Sequence, residues 1–144
     1  MQEFPHHYEV IATAAADTDV SVTGDRLEPI PTTAPVQFGG PGGKWSPETL
    51  LTAAVASCFI LTFRAIARAS NLPWNSLKCH VDGTLERKDG KTKFTQFVVH
   101  ATLSVPQDAS EERALRLLEK AEESCLVTSS LAGTTRLEAV VSKS

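Results

Sequence analysis

Long runs of like charge are missing from this chain. With 14 Lys and Arg against 17 Asp and Glu, and a formal charge of −3, no segment has the charge block of a nucleic-acid groove or of a site for anionic membrane surfaces. A small neutral or apolar ligand suits that balance better. The N-terminal Met1-Gln2-Glu3-Phe4-Pro5-His6-His7 has neither the basic start nor the apolar run of a secretory signal, and a cytoplasmic protein is expected. Cysteine is scarce: three residues, an odd number, argue against a structural disulfide framework and for reduced thiols with at most one reversible bridge. The longest apolar stretch, Leu50 to Phe63, is shorter than the roughly 20 residues that span a bilayer and is diluted by Thr52, Ser57 and Thr62, so a buried core helix is expected. Internal repeats, heptads and low-complexity tracts are absent.

What is present reads as one domain over residues 1–144, since 42% hydrophobic residues suffice for a core. From Tyr8 to Leu27 the loose alternation of Tyr8, Val10, Ala12, Val20 and Val22, with turn chemistry at Thr23-Gly24-Asp25, predicts short strands in a hairpin. Pro29 to Trp45 holds four prolines and four glycines and reads as an ordered loop or lid. Ser46 caps a helix with Pro47 in its first position and Glu48 in its first turn, running to about Ser70. Because almost every face of Leu50 to Ala67 is apolar or small, that helix is expected to be surrounded by protein. Leu77 to Glu86 and Phe94 to Val105 keep a period of two, joined by the hairpin signal Asp89-Gly90. Asp108-Ala109-Ser110-Glu111 resembles a capping box opening a second helix. A short turn or helix through Leu131 and a last strand over Arg136 to Val141 complete the pattern.

Two of the cysteines sit at helix positions where a thiol has redox uses: Cys58 in the first long helix and Cys125 at the end of the second. Only folding brings them together. Cys58 among apolar neighbours also fits a small hydrophobe, whereas Ser57, Thr62 and Ser124 beside the thiols are hydrogen-bond donors of the kind that lowers a thiol pKa.

Phe38-Gly39-Gly40-Pro41-Gly42-Gly43, the helix start Ser46-Pro47-Glu48-Thr49-Leu50-Leu51, Ala56-Ser57-Cys58-Phe59 and Ala121-Glu122-Glu123-Ser124-Cys125 together resemble the family of osmotically inducible protein C and the organic hydroperoxide resistance proteins. The resemblance runs from Gly39 to the C-terminus. It implies an α+β fold with two central helices packed on antiparallel sheets, and an intertwined homodimer. It also implies a peroxidase without metal or organic cofactor, acting on an organic hydroperoxide and recharged by a dithiol. Carried over, Cys58 is the peroxidatic thiol, Cys125 resolves its sulfenic acid, and Glu48 belongs to the network around the thiolate. Glu48 and Cys58 are ten residues apart, about 15 Å along one straight helix. If both serve one site, the glutamate comes from the partner subunit.

The chain departs from this family at two places. The family's peroxidases pair the glutamate with an N-terminal arginine, but Thr13-Ala14-Ala15-Ala16-Asp17-Thr18-Asp19 has none, and Arg26 is the sole arginine before the helix. Arg64 and Arg68 read as helix-end charges. Leu126 also stands where a proline usually follows the second cysteine. An uncompensated thiolate in an apolar helix has its pKa raised by desolvation, which keeps several alternatives open: a weaker peroxidase, a peroxidase using another cation such as Arg26, a relative that binds a small apolar molecule between subunits without turning it over, and a thiol redox sensor.

Other residues have plainer readings. Cys79 and His80 are adjacent in a strand, so they point to opposite faces and read as an ordinary strand pair, not metal ligands. His6 and His7 read as part of a frayed terminus, and His100 as a solvated strand residue. Trp45, Phe59 and Phe63 are expected in the core.

Overall fold

A computed structural model describes residues 1–144. The chain divides into two compact units, Met1–Leu50 and Leu51–Ser144.

The first unit is a small antiparallel sheet of β1 (Ile11–Thr13), β2 (Val20–Thr23) and β3 (Ile30–Thr32), in the order β1-β2-β3. The hairpin expected between Tyr8 and Leu27 is there, with Ala12 opposite Val22, but Tyr8 and Val10 lie outside it and are exposed. Thr23-Gly24-Asp25 leads from β2 to β3, where the Leu27 N–H donates to the Gly24 carbonyl. The strand β3 lies inside the segment expected to be a loop. It tolerates Pro31 because it is an edge strand, where a missing N–H breaks no ladder on its outer side. A single 3₁₀ turn, Val36–Phe38, follows and ends at Gly39 with φ 82°. Trp45, expected in the core, is half exposed and pairs by its backbone with Thr32.

The helix α1 (Pro47–Ala69) starts as its sequence requires: the Thr49 N–H donates to Ser46 Oγ at 3.1 Å, with Pro47 first and Glu48 in the opening turn. It extends beyond Phe63 to 23 residues and is long and apolar enough, by length and composition alone, to cross a bilayer. Within the second unit only one stripe of it is buried, Val55, Phe59, Phe63 and Ala67, one residue per turn. Ser57, Leu61, Arg64, Ala65 and Arg68 are exposed. The expectation that protein surrounds the whole helix therefore fails within one chain, whose sheet and second helix cover a single side of it.

β4 (Ser76–Lys88) and β5 (Lys91–Val105) form a long antiparallel hairpin through Asp89 and Gly90, both at positive φ (53° and 75°) as its two-residue turn demands. A bulge sits at Thr84/Leu85. β6 (Thr134–Lys143) lies on the other side of β5 and runs parallel to it. The antiparallel sheets implied by the family resemblance are thus corrected to a mixed sheet here. Parallel pairing needs a crossover, which α2 (Glu111–Ser124) and the single-turn α3 (Leu126–Ser129) supply. The cap of α2 is Ser110, whose side chain accepts from the Arg113 N–H, and not Asp108. Phe97, Val99, Ala101, Leu103 and Val105 of β5, the α1 stripe, and Ala114, Leu118 and Ala121 of α2 make one core, with Trp74 edge-on to Phe63 at 5.5 Å.

Candidate active site

The buried positions of α2, Ala114, Leu118 and Ala121, repeat at helical spacing, and the next place on that stripe is Cys125, 1% exposed. Cys125 ends α2 and caps α3 with φ −65° and ψ 111°. Its carbonyl accepts from Thr128 Oγ1 at 3.1 Å, Ser129 Oγ at 2.9 Å and the Ser129 N–H at 3.1 Å, which fixes the joint between the two helices. Cys58 lies on α1 beside the buried Phe59 and is half-buried. The fold brings the two thiols close enough together that each shifts the ionisation of the other. Both are reduced.

Their electrostatics differ in sign. Burial by itself raises the Cys58 thiol. The backbone N–H of Val127, the Cys125 thiol, the Thr62 hydroxyl and the Leu126 N–H outweigh it and hold Cys58 below its ordinary value. Thr62 Oγ1 is 3.8 Å from Cys58 Sγ. The opposite holds for Cys125: burial raises it, and its hydrogen bond to Cys58 adds to that against the lowering contacts of Thr128. The expected rise of Cys58 in an apolar helix without an arginine is therefore reversed, because backbone and hydroxyl dipoles face the sulfur. Leu126 matters here: a proline in its place would have no N–H to give.

An apolar groove of about 550 Å³ opens beside Cys58, lined by Ala54, Ser57, Leu61, Thr62, Ala65 and Leu126. Small side chains on one face of α1 leave the sulfur reachable from it.

The remaining candidates fall elsewhere. Glu48, in the first turn of α1, lines a separate cavity of about 330 Å³ in the first unit with Val20, Thr32, Phe38 and Pro47. Arg26 is at the surface beside Asp25, 3.5 Å away. Cys79 faces the core side of β4 and His80 the other side. Burial first, and then the charge of Cys125, push the Cys79 thiol up to about 11, so it stays protonated. No group of three or more His, Cys, Asp or Glu side chains is placed to hold a metal ion.

One histidine departs from its expected reading. His100 is not simply solvated: its Nε2 is 3.0 Å from Asp82 Oδ2 and its Nδ1 3.0 Å from Glu138 Oε2, a cross-strand chain that includes His80. The hydrogen bonds of His80 and His100 hold Asp82 below its usual value. His6 stacks on Phe4 at 4.5 Å and bonds the Gln2 carbonyl, contacts made within an exposed N-terminal segment.

Residues 40–139 match the sequence model of a family described as OsmC-like protein. An uncharacterized protein of Bacillus subtilis (strain 168), YmaD, is 27% identical over 107 residues, 72% of this chain and 71% of that protein. An OsmC-like protein of unknown function from Vibrio cholerae O1 superposes with a TM-score of 0.84 at 19% identity, covering 94% of this chain and 100% of the other. An organic hydroperoxide resistance protein OsmC from Legionella pneumophila superposes with a TM-score of 0.74 at 26% identity, covering 96% and 99%.

Proposed function

The chain belongs to the OsmC-like protein family, and on that premise we propose that it is a thiol peroxidase that reduces organic hydroperoxides by a Cys58/Cys125 disulfide cycle. Organic hydroperoxide resistance proteins are among its structural relatives. The observation that supports the reading most is the pair of adjacent thiols shifted in opposite directions, Cys58 down and Cys125 up, beside an apolar groove.

The chemistry follows from that difference. The Cys58 thiolate attacks the outer peroxide oxygen and the O–O bond breaks. The alcohol leaves after taking a proton, and Cys58 becomes a sulfenic acid. Cys125 then attacks the Cys58 sulfur, an S–S bond forms and water leaves. An external dithiol reopens the bridge by exchange and is itself oxidised. A nearby resolving thiol protects the sulfenic acid from irreversible oxidation. Protonated Cys125 does not compete for the peroxide in the first step.

Helical rise separates Glu48 from Cys58 of the same chain by about 15 Å, so a role for Glu48 at this thiol belongs to a homodimer in which the partner subunit supplies it. The exposed apolar positions of α1, among them Leu61, agree with such a partner. Neither nucleic acid nor membrane is part of the proposal, and a dithiol-reductant cycle fits a reducing compartment such as the cytoplasm.

The groove also favours a second reading, a carrier of a small apolar molecule that is not turned over. Steady-state consumption of cumene hydroperoxide with excess dithiothreitol separates the two. Many turnovers per chain, lost in Cys58→Ser, support the peroxidase; no consumption with both thiols intact supports the carrier.

A further inference from the structure

Resting on the peroxidase reading, we infer that Thr62 is a positioning residue for Cys58, holding the sulfur as a thiolate and aiming it into the groove. The two residues are four apart on α1, the spacing that stacks side chains one turn above another on a helix face. A helical threonine commonly turns its hydroxyl back onto the carbonyl four residues earlier. This one bonds the sulfur at 3.8 Å. Thr62 and Cys58 line the same groove, and Phe59 on the adjoining face is in the core.

The need for such a donor comes from the local charges. The arginines carried by α1, Arg64 and Arg68, are exposed, and neither bonds the Cys58 sulfur. Negative charge on that sulfur is held by dipoles, of which the Thr62 hydroxyl is the side-chain hydroxyl that a substitution can remove while keeping its volume. As a donor it stabilises the thiolate more than the thiol, which makes its effect one on protonation and not on packing alone.

The test is the pH profile of Cys58 alkylation by iodoacetamide in the reduced native protein, read on the Cys58 peptide by mass spectrometry, for wild type, Thr62→Val and Thr62→Ser. The valine variant is expected to shift the alkylation midpoint upward by roughly 0.5–1 unit, with the rate at neutral pH falling about three- to tenfold. The serine variant, which keeps the hydroxyl, is expected to return to the wild-type midpoint. An unchanged midpoint in Thr62→Val overturns the inference, as does an equal shift in both variants, which marks a packing effect. Because alkylation needs no peroxide, a midpoint shift in a protein that never consumes peroxide keeps the role of Thr62 and removes the peroxidase reading instead.

Discussion

Leu126 stands directly after Cys125, and its backbone N–H comes near enough to Cys58 on α1 to help hold that thiol below its ordinary value. A residue chosen at the start of a single-turn helix thereby acts on the thiol of another helix. Leu126→Pro tests this at low structural cost. Proline is tolerated in the first helical position, and Cys125 before it is already extended, as a residue preceding proline must be. The substitution is expected to keep the fold by circular dichroism and to raise the alkylation midpoint of Cys58.

The three thiols should react in a fixed order as pH rises. Cys58 is held below the ordinary thiol value of 9.0, Cys125 is above it, and Cys79 is pushed up to about 11. Since only the thiolate is nucleophilic, Cys58 should be alkylated first, with Cys125 and Cys79 following only at higher pH or when the chain unfolds. Peptide mapping after brief iodoacetamide pulses at stepped pH checks the order. Cys79 labelled before Cys58 contradicts it.

If the partner subunit's Glu48 completes the site, two inactive chains should rescue each other. Cys58→Ser and Glu48→Gln proteins, each unfolded and refolded together, form mixed dimers in which one site has both an intact cysteine and an intact glutamate. Recovery of part of the wild-type peroxide consumption is expected. Activity that stays at the level of the separate variants places Glu48 in the same subunit or outside the site.

The core that holds Cys125 has a measurable strength. Leu118 is fully buried on the same stripe of α2, and Leu118→Ala is expected to lower stability by about 2–5 kcal/mol in urea unfolding. Ser110→Ala, which removes the cap bond to the Arg113 N–H, should cost about 1 kcal/mol.

Much of this could be read locally. Ser46 and Pro47 announce α1, and Asp89-Gly90 announces the long hairpin, because caps and tight turns depend on a few adjacent residues. The pairing of Cys58 with Cys125 was also legible, and so was Thr62 as a hydrogen-bond donor beside the first of them. What escaped was non-local. β3 was hidden by Pro31, which is harmless only because that strand ends up at an edge. The parallel direction of β6 is decided by the crossover and not by its alternation. The missing arginine suggested a raised Cys58, since nothing in the order of residues tells that the Val127 and Leu126 N–H groups turn toward it. His100 likewise looked solvated until β4 and β6 placed Asp82 and Glu138 against its ring.

The proposed cycle requires that Cys58 and Cys125 act as one redox couple. Titrating the reduced protein with cumene hydroperoxide, and separately with hydrogen peroxide, followed by non-reducing peptide mapping, tests it most directly. A stoichiometric Cys58–Cys125 bridge, formed faster with the organic peroxide and replaced in Cys125→Ser by an overoxidised Cys58, is the predicted result. Intact thiols after excess peroxide, or a bridge through Cys79, would contradict it.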